Sequence, residues 1–277
     1  MTASAGHAST DVPAVVLVHG WAGSTAAWAS LSEHWSAPSP LVAVPLPGSP
    51  GASGRFAHTV DGAVDAVREA LDAYDGPAVV VGHSMGGQIS LELNVDDPRI
   101  VGEVVIDPAY GASEADAVAS QEWAERIDAD GHVAVRSFFD EAMGAALTAG
   151  VRRQVLTDVS STPPATIASY LRSEYLGPAA IGPADRAATL ISRRRAPVLA
   201  LYPSDRAATF ERAHAGAGTR VEVWEGRGHY LHLEEPARFC RRLEAWVSGL
   251  RTAVLASDGG PAAGRPLRRT ASTRRNR

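Results

Sequence analysis

Short, wholly apolar runs recur along the chain and predict strands that are buried on both faces of a sheet. A sixth run alternates between apolar and polar residues, as an edge strand with one wetter face does. The predicted strands are residues 14–18, 41–44, 78–81, 104–106, 198–201 and, for the alternating run, 220–224. Between most of them, apolar residues recur at spacings of three and four, which is typical of helices. The pattern predicts an α/β fold with a mostly parallel sheet of about six strands flanked by helices.

One long interval between predicted strands has only helical spacing. It is far longer than an ordinary connection between a strand and a helix. Apolar positions in it fit two helices over residues 123–143 and two more over residues 155–175. We therefore expect a core, an inserted helical cap (lid) and a disordered Gly-, Pro- and Arg-rich tail. Their bounds are residues 12–107 with 197–250 for the core, 108–196 for the cap and 257–277 for the tail.

Composition adds exclusions to this fold prediction. The 277 residues are 45% hydrophobic and 21% charged, which is the balance of an ordinary globular chain. All 26 basic residues are arginine, so chemistry that needs a lysine, such as a Schiff base, is excluded. The single cysteine, Cys240, excludes a disulfide framework, and its apolar neighbours indicate a buried, inert thiol.

Charge and hydropathy also bear on location and partners. The first twelve residues lack the segments of a signal peptide, and no apolar run is long enough to span a membrane. We therefore expect a cytoplasmic protein without a membrane partner. The net charge is −5 although the tail is rich in arginine, so the rest of the chain is strongly acidic. We see no basic face in that part of the sequence and therefore expect no nucleic-acid partner. The arginines at 193–195 are interpreted as a solvated loop, and the sequence does not distinguish a monomer from a homodimer.

The third predicted strand is followed at once by a Gly-x-Ser-x-Gly sequence at residues 82–86. Elsewhere these letters could be an ordinary glycine turn, but here they join a strand to a helical pattern. A sharp turn of this kind holds the serine in a strained conformation that lifts its hydroxyl clear of the sheet. We predict Ser84 as a nucleophile. The N–H of Met85, at the start of the next helix, is a predicted donor to a developing oxyanion.

An acyl-transfer site needs a second N–H donor, which usually comes from the loop after the first strand. Residues 19–23 form that loop here. Trp21 or its neighbour Ala22 can supply the donor, and we favour Trp21, whose indole would also form a pocket wall. The alternative is a glycine turn beside a packed tryptophan.

A base and an acid complete the predicted constellation. Of the nine histidines, His229 alone lies in the loop after the last strand, where it can reach the serine. His83 is expected to point away from the base, and His232 is interpreted as a packing residue. The acid must hold the imidazole in the correct tautomer. Asp107 and Asp205 both follow strands at the sheet edge where such sites form, and either could instead cap a helix.

With these residues the chain resembles the α/β-hydrolase fold superfamily over about residues 12–250. It is most similar to the small, capped, cofactor-free branch of esterases, lactonases and carbon–carbon bond hydrolases. The motifs are the loop at 19–21, the serine turn at 82–86, the position of Asp205, and a terminal sequence in which Glu234 and Pro236 follow residues 228–229.

The resemblance implies that Ser84 is the nucleophile, Trp21 and Met85 are the oxyanion donors, and His229 is the base. We favour Asp205 over Asp107 as the acid, because the loop after the penultimate strand is the commoner source. The chain departs from the branch after the second strand, where Pro45 replaces the usual aspartate.

These observations predict a serine hydrolase that acts on a small to medium hydrophobic ester, lactone or thioester through an acyl-enzyme on Ser84. No cofactor and no metal are expected. One alternative is a carbon–carbon bond hydrolase, or a lyase or cyclase of secondary metabolism, with the same triad. Another is a non-catalytic, ligand-binding homologue. The substrate itself is not predicted, because specificity resides in the side chains of the cap.

Overall fold

The six predicted strands form one sheet in the computed structural model, which describes residues 12–74 and 76–258, with side chains to residue 250. All five neighbouring strand pairs are parallel. The strands are β1 (Ala14–Val18), β2 (Leu41–Val44), β3 (Ala78–His83), β4 (Ile100–Ile106), β5 (Val198–Tyr202) and β6 (Thr219–Val223). Their order across the sheet is β2-β1-β3-β4-β5-β6, which places the alternating strand β6 at an edge. The predicted α/β class and strand number are confirmed.

Helices connect the strands. A short 3₁₀ turn (Thr25–Trp28) precedes α1 (Ala29–His34), and the side chain of Thr59 accepts a hydrogen bond from the N–H of Gly62 at the start of α2, as an N-cap does. The helices after α1 are α2 (Val60–Asp72), α3 (Met85–Asp96), α4 (Glu114–Asp130), α5 (Val133–Ala142), α6 (Ala149–Ser161), α7 (Pro164–Tyr175), α8 (Ala184–Ile191), α9 (Thr209–His214), α10 (Leu231–Glu234) and α11 (Pro236–Asp258).

The two faces of the sheet bury different helices. Alternate residues of a strand point to opposite faces, so Val16 and Val80 pack with the apolar stripes of α2 and α3. Val15 and Leu17 face the other way and pack with α1 and α11. Cys240 of α11 is buried in this second cluster, as its neighbours predicted. The strands that carry the candidate site are therefore covered on both faces.

Five helices, α4 to α8, lie between β4 and β5, where the sequence predicts four; α8 is the additional one. We refer to them as the inserted helices. The segment predicted as two helices over residues 155–175 is divided at this point, because α6 ends at Ser161 and α7 begins at Pro164. Proline is well suited to that first position, where its missing N–H has no helical partner.

Two further sequence predictions concern the C-terminal tail and membrane-spanning segments. Helix α11 continues to Asp258, inside the predicted tail, and the rest of the tail lies outside the described residues. Within the described part of the chain, no helix has the length and apolar character needed to cross a membrane.

Candidate active site

Ser84 lies in the turn between β3 and α3 and has a strained backbone, with φ 53° and ψ −120°. The flanking glycines are required by close contacts. A Cβ on Gly82 would lie 2.1 Å from the carbonyl oxygen of Gly86, and one on Gly86 would lie 2.4 Å from that of Val18. These distances leave no room for a side chain. The local sequence thus explains why the serine is raised from the end of the strand at the start of a helix.

His229 and Asp107 form a hydrogen-bonded pair beside this turn. The Nδ1 atom of His229 is 2.6 Å from Oδ2 of Asp107, and each side chain is 19% exposed. Asp107 directly follows β4 and, like Ser84, has a positive φ, here 40°. The Ser84 N–H donates to the Ile106 carbonyl at 3.0 Å, and the Ala109 N–H donates to the Ser84 carbonyl at 3.1 Å. Backbone bonds on both sides of Asp107 therefore connect its turn to that of the serine.

The structure does not place Asp205 in this pair, so our preference for it over Asp107 is wrong. The Asp205 side chain is 74% exposed, and its carboxylate contacts Arg212 of α9 at 2.6 Å. The Asp205 carbonyl accepts a hydrogen bond from the Thr209 hydroxyl at 3.1 Å, in the turn that leads into α9. This turn directs the side chain to solvent. Asp107 is the acid that reaches His229, which was the alternative from the sequence.

The loop of residues 19–23 lies beside the serine turn. A Cβ on Gly20 would be 3.1 Å from Cβ of Ser84, so the loop and the nucleophile are in direct contact. Ala22 has a φ of 51°, and the Gly23 N–H donates to the Gly20 carbonyl at 3.1 Å, which makes a tight turn. The indole Nε1 of Trp21 donates to the Ile167 carbonyl of α7 at 2.9 Å. The loop is thereby joined to the inserted helices.

Met85 is the first residue of α3, where the N–H groups of the opening turn have no partner within the helix. Its position agrees with the predicted role of its N–H as an oxyanion donor. The choice between Trp21 and Ala22 for the second donor stays a prediction.

Two buried, neutral histidines support the loops of the site. His19 accepts the Leu46 N–H at Nε2 and bonds the Gly20 carbonyl through Nδ1, and burial lowers its pKa to about 4. His83 donates from Nε2 to the carbonyl of His229 at 3.0 Å, and burial holds its pKa well below its usual value. The expectation that His83 points away from the base is wrong. Its ring centroid is 4.6 Å from that of His229, so it supports the loop that carries the base.

The loop that carries the base is also held from two other directions. The Gly228 N–H donates to Oε1 of Glu234 at 2.8 Å, which explains the spacing of these residues in the sequence. On the other side, a Cβ on Gly228 would lie 2.8 Å from Cα of Gly144, between α5 and α6. Arg152 of α6 donates to the Met143 carbonyl at 3.0 Å and to that of Gly144. The inserted helices therefore pack directly on this loop.

A buried network of charged and hydroxyl side chains joins β4, β5 and α9, and the sequence analysis did not predict it. Arg194 is almost fully buried and pairs with Glu103 of β4 at 2.9 Å and with Glu211 of α9. Glu211 also accepts hydrogen bonds from the hydroxyls of Tyr110, at 2.5 Å, and Tyr202, at 3.2 Å. The interpretation of all three arginines at 193–195 as solvated is wrong for Arg194. Its signal was the isolated glutamate within the otherwise apolar pattern of β4.

Two cavities flank the site. The first, which we name the oxyanion-side cavity, has a volume of about 270 Å³ and lies between the loop of residues 19–23 and α6. Its walls include the aromatic side chains of Trp21, Phe139 and Tyr230. The second, the acid-side cavity, has a volume of about 470 Å³ and lies beside residues 108–112, with Arg126 in its lining. Trp21, which lines the first cavity, and Trp123, which lines the second, are in edge-on contact with ring centroids 5.0 Å apart.

The sequence of the chain matches a known protein family. Residues 15–242 match the sequence model described as "Alpha/beta hydrolase family". The chain belongs to this family. A curated relative is 26% identical over 85% of the chain and 94% of its own length; it is the 2-succinyl-6-hydroxy-2,4-cyclohexadiene-1-carboxylate synthase of an Escherichia coli O157:H7 strain.

Solved structures of other α/β-hydrolases share the fold. A thermophilic esterase from Thermogutta terrifontis superposes with a TM-score of 0.74 at 18% identity, covering 86% of this chain and 90% of its own. Est816, an N-acyl homoserine lactone degrading enzyme, superposes with a TM-score of 0.69 at 19% identity, covering 84% and 92%. The resemblance inferred from the sequence motifs is confirmed at the level of the family.

Among the residues that the structure describes, no cluster of three or more histidine, cysteine, aspartate or glutamate side chains is arranged to hold a metal ion. The structure brings Ser84, Asp107 and His229 together at the serine turn, and the loop that contains Trp21 lies beside them.

Proposed function

We propose that the protein is a serine-dependent hydrolase of small esters, lactones or thioesters. The observation that carries this proposal is the strained Ser84 at the start of α3, next to the hydrogen-bonded His229–Asp107 pair. A hydroxyl in this setting becomes a nucleophile when an adjacent imidazole takes its proton. The family membership supports an enzyme, and esterases and a lactonase are among the structures with this fold.

In the proposed mechanism, Nε2 of His229 takes the Ser84 proton as Oγ attacks the carbonyl carbon of the substrate. The N–H groups of Met85 and Trp21 stabilise the oxyanion, and the imidazolium then protonates the leaving group. A water molecule that gives its proton to His229 then attacks the acyl-enzyme, and Ser84 leaves with that proton as the acid product is released. Asp107 accepts the Nδ1–H of His229 throughout, which keeps Nε2 free to accept a proton and stabilises the imidazolium.

We propose that the inserted helices act as the lid of this site. They contact the oxyanion loop through Trp21 and Ile167, and they contact the loop that carries the base through Gly144 and Gly228. A lid of this kind excludes water from the reacting groups and shapes the substrate pocket. The oxyanion-side cavity, at about 270 Å³, suits a small substrate better than a large one.

A second candidate function is carbon–carbon bond cleavage or a lyase reaction with the same triad. It is favoured by the curated relatives, which are named as synthases of a cyclohexadiene carboxylate and which align along 85% of the chain. In that reaction the His229–Asp107 pair and Ser84 would move a proton on the substrate without an acyl-enzyme.

A panel of p-nitrophenyl esters, thioesters and lactones tests the proposal, with Ser84→Ala as the matched inactive variant. We expect turnover of short, apolar substrates by the wild type and loss of about 10⁴-fold or more in Ser84→Ala. Ester hydrolysis that survives in Ser84→Ala would contradict the assignment of the nucleophile. Absence of any ester, thioester or lactone turnover would favour the second candidate.

A further inference from the structure

The oxyanion-side cavity has an unusual charge pattern for a pocket beside a hydrolase nucleophile. Its lining includes Gly20, which contacts Ser84, His83, which precedes Ser84, and Tyr230, which follows His229, so the cavity lies beside the catalytic groups that we propose. Two carboxylates also line it: Asp158 of α6, which is buried, and Glu33 of α1, which is exposed. No arginine is among its described lining residues. The charged side chains that line this cavity are thus acids, whereas an arginine, Arg126, lines the acid-side cavity.

Asp158 is held in place by its neighbours. Asp158 is buried, with 7% of the residue exposed, and Nε2 of Gln154 donates to its Oδ1 at 2.9 Å. Burial raises the pKa of this carboxyl, and hydrogen bonds from Ser24 and Gln154 oppose that rise. The cost of burying a carboxylate is offset when a cation binds next to it.

The other walls of the cavity suit the same kind of ligand. Trp21, Phe139 and Tyr230 all line the cavity. Aromatic faces attract cations through the ring quadrupole, and aromatic cages are a common means of binding quaternary ammonium groups. The two histidines of the lining, His19 and His83, are neutral because burial lowers their pKa, so they do not repel a cation.

We infer that the oxyanion-side cavity selects substrates whose acyl chain is apolar and ends in a quaternary or other alkylated ammonium group, with Asp158 as the partner of the charge. This inference rests on the proposed hydrolase function and adds the class of substrate. It also separates this chain from its curated relatives in one respect. Those are named for a carboxylate product, whereas this cavity presents carboxylates of its own and repels an anion.

Three p-nitrophenyl esters of nearly equal shape test the inference. Their acyl groups are 4-(trimethylammonio)butanoyl, its uncharged isostere 5,5-dimethylhexanoyl, and glutaryl, which ends in a carboxylate. We expect kcat/KM for the cationic ester to exceed that for the neutral one by about tenfold, and the glutaryl ester to be the poorest of the three. Asp158→Asn should reduce the ratio of cationic to neutral kcat/KM by about tenfold.

Asp140→Asn is the matched control for this variant. It removes the same charge from the inserted helices, but Asp140 is exposed, pairs with Arg136 at 3.0 Å and does not line the cavity. It should leave the ratio within twofold of the wild type, so that a general effect of the protein's negative charge is excluded. Circular dichroism and the thermal midpoint confirm that both variants are folded.

The N-methylamides of the same three acids, which lack a reactive ester, provide a measurement that is independent of turnover. Their binding is followed by the change in the protein's tryptophan fluorescence, to which Trp21 contributes because it lines the cavity. We expect the cationic amide to bind about tenfold more tightly than the neutral one, and Asp158→Asn to remove that difference. Ester turnover with equal rates for all three acyl groups, or with a preference for glutaryl, would overturn the inference and leave the hydrolase proposal intact. If no ester is turned over, the amides decide: equal binding of the three overturns the inference.

Discussion

The choice between two aspartates provides the sharpest mutational prediction, because the same substitution can be made at both. Asp107→Asn replaces the carboxylate that lies 2.6 Å from Nδ1 of His229. The new amide can donate to Nδ1, which would move the imidazole proton to Nε2, the atom that must accept the serine proton. It also removes the negative charge that stabilises the imidazolium.

A loss of about 10⁴-fold in kcat is the magnitude for such a change in a serine triad, which corresponds to about 5 kcal/mol in the barrier. Asp205→Asn is the control. It breaks an exposed contact with Arg212 at 2.6 Å. An exposed ion pair contributes about 0–1 kcal/mol to stability, and this one does not contact the proposed catalytic residues. We expect its kcat/KM to stay within about twofold of the wild type.

Both variants are assayed on the best ester of the panel, and thermal unfolding shows whether each is folded. If Asp205→Asn shows the larger loss, or if Asp107→Asn retains more than about a tenth of wild-type kcat, the assignment of Asp107 is refuted.

Three further predictions concern stability. Gly82→Ala should fail to fold or lose several kcal/mol, because its Cβ would lie 2.1 Å from a backbone carbonyl oxygen; chemical denaturation checks this, and wild-type stability would contradict it. Burial raises the pKa of Glu174 well above its usual value, so the native state keeps a proton that the unfolded chain loses above about pH 4.5, and stability falls as pH rises. Glu174→Gln should therefore show a flatter profile of unfolding free energy between pH 5 and 8 than the wild type, and an unchanged slope would contradict the reasoning. Tyr110→Phe removes the hydroxyl that donates to Glu211 at 2.5 Å, and it should lower the free energy of unfolding in urea by about 1–3 kcal/mol. A change near zero would show that the buried network around Arg194 and Glu211 is not important for stability.

The sheet could be predicted from the sequence because its strands are buried on both faces. Each strand then appears as a short apolar run, and every one of the six runs corresponds to a strand. Ser84 could be predicted for a similar reason: the glycines around it are demanded by contacts shorter than 3 Å, so the local sequence carries the geometry.

The acid could not be predicted, because its identity depends on the direction in which two loops turn after their strands. Asp107 and Asp205 both follow a strand at the same edge of the sheet, and the residues next to each of them do not show which side chain turns toward His229. Only the three-dimensional path of the loop before α9, which directs Asp205 toward Arg212 and solvent, distinguishes them. Long-range partners of this kind have no local signal.

The same limit explains the histidine and arginine that were misinterpreted. His83 bonds the carbonyl of His229, which is 146 positions away in the sequence. Arg194 pairs with Glu103 of β4 and with Glu211 of α9. A residue between two others of its own type, as Arg194 is, has no local feature that indicates burial. Its partners become visible only when the sheet is assembled.

The central claim is that Ser84 is a nucleophile activated by His229. It is tested most directly by treating the folded protein with a fluorophosphonate and measuring the intact mass. We expect one adduct per chain, located at Ser84 in the tryptic peptide of residues 69–99, and none in Ser84→Ala or after denaturation. Ser90 lies in the same peptide but is buried and bonded to Glu103, so fragment ions that place the label on Ser84 exclude it. A folded wild-type protein that forms no adduct, or that is labelled equally in Ser84→Ala, would contradict the account.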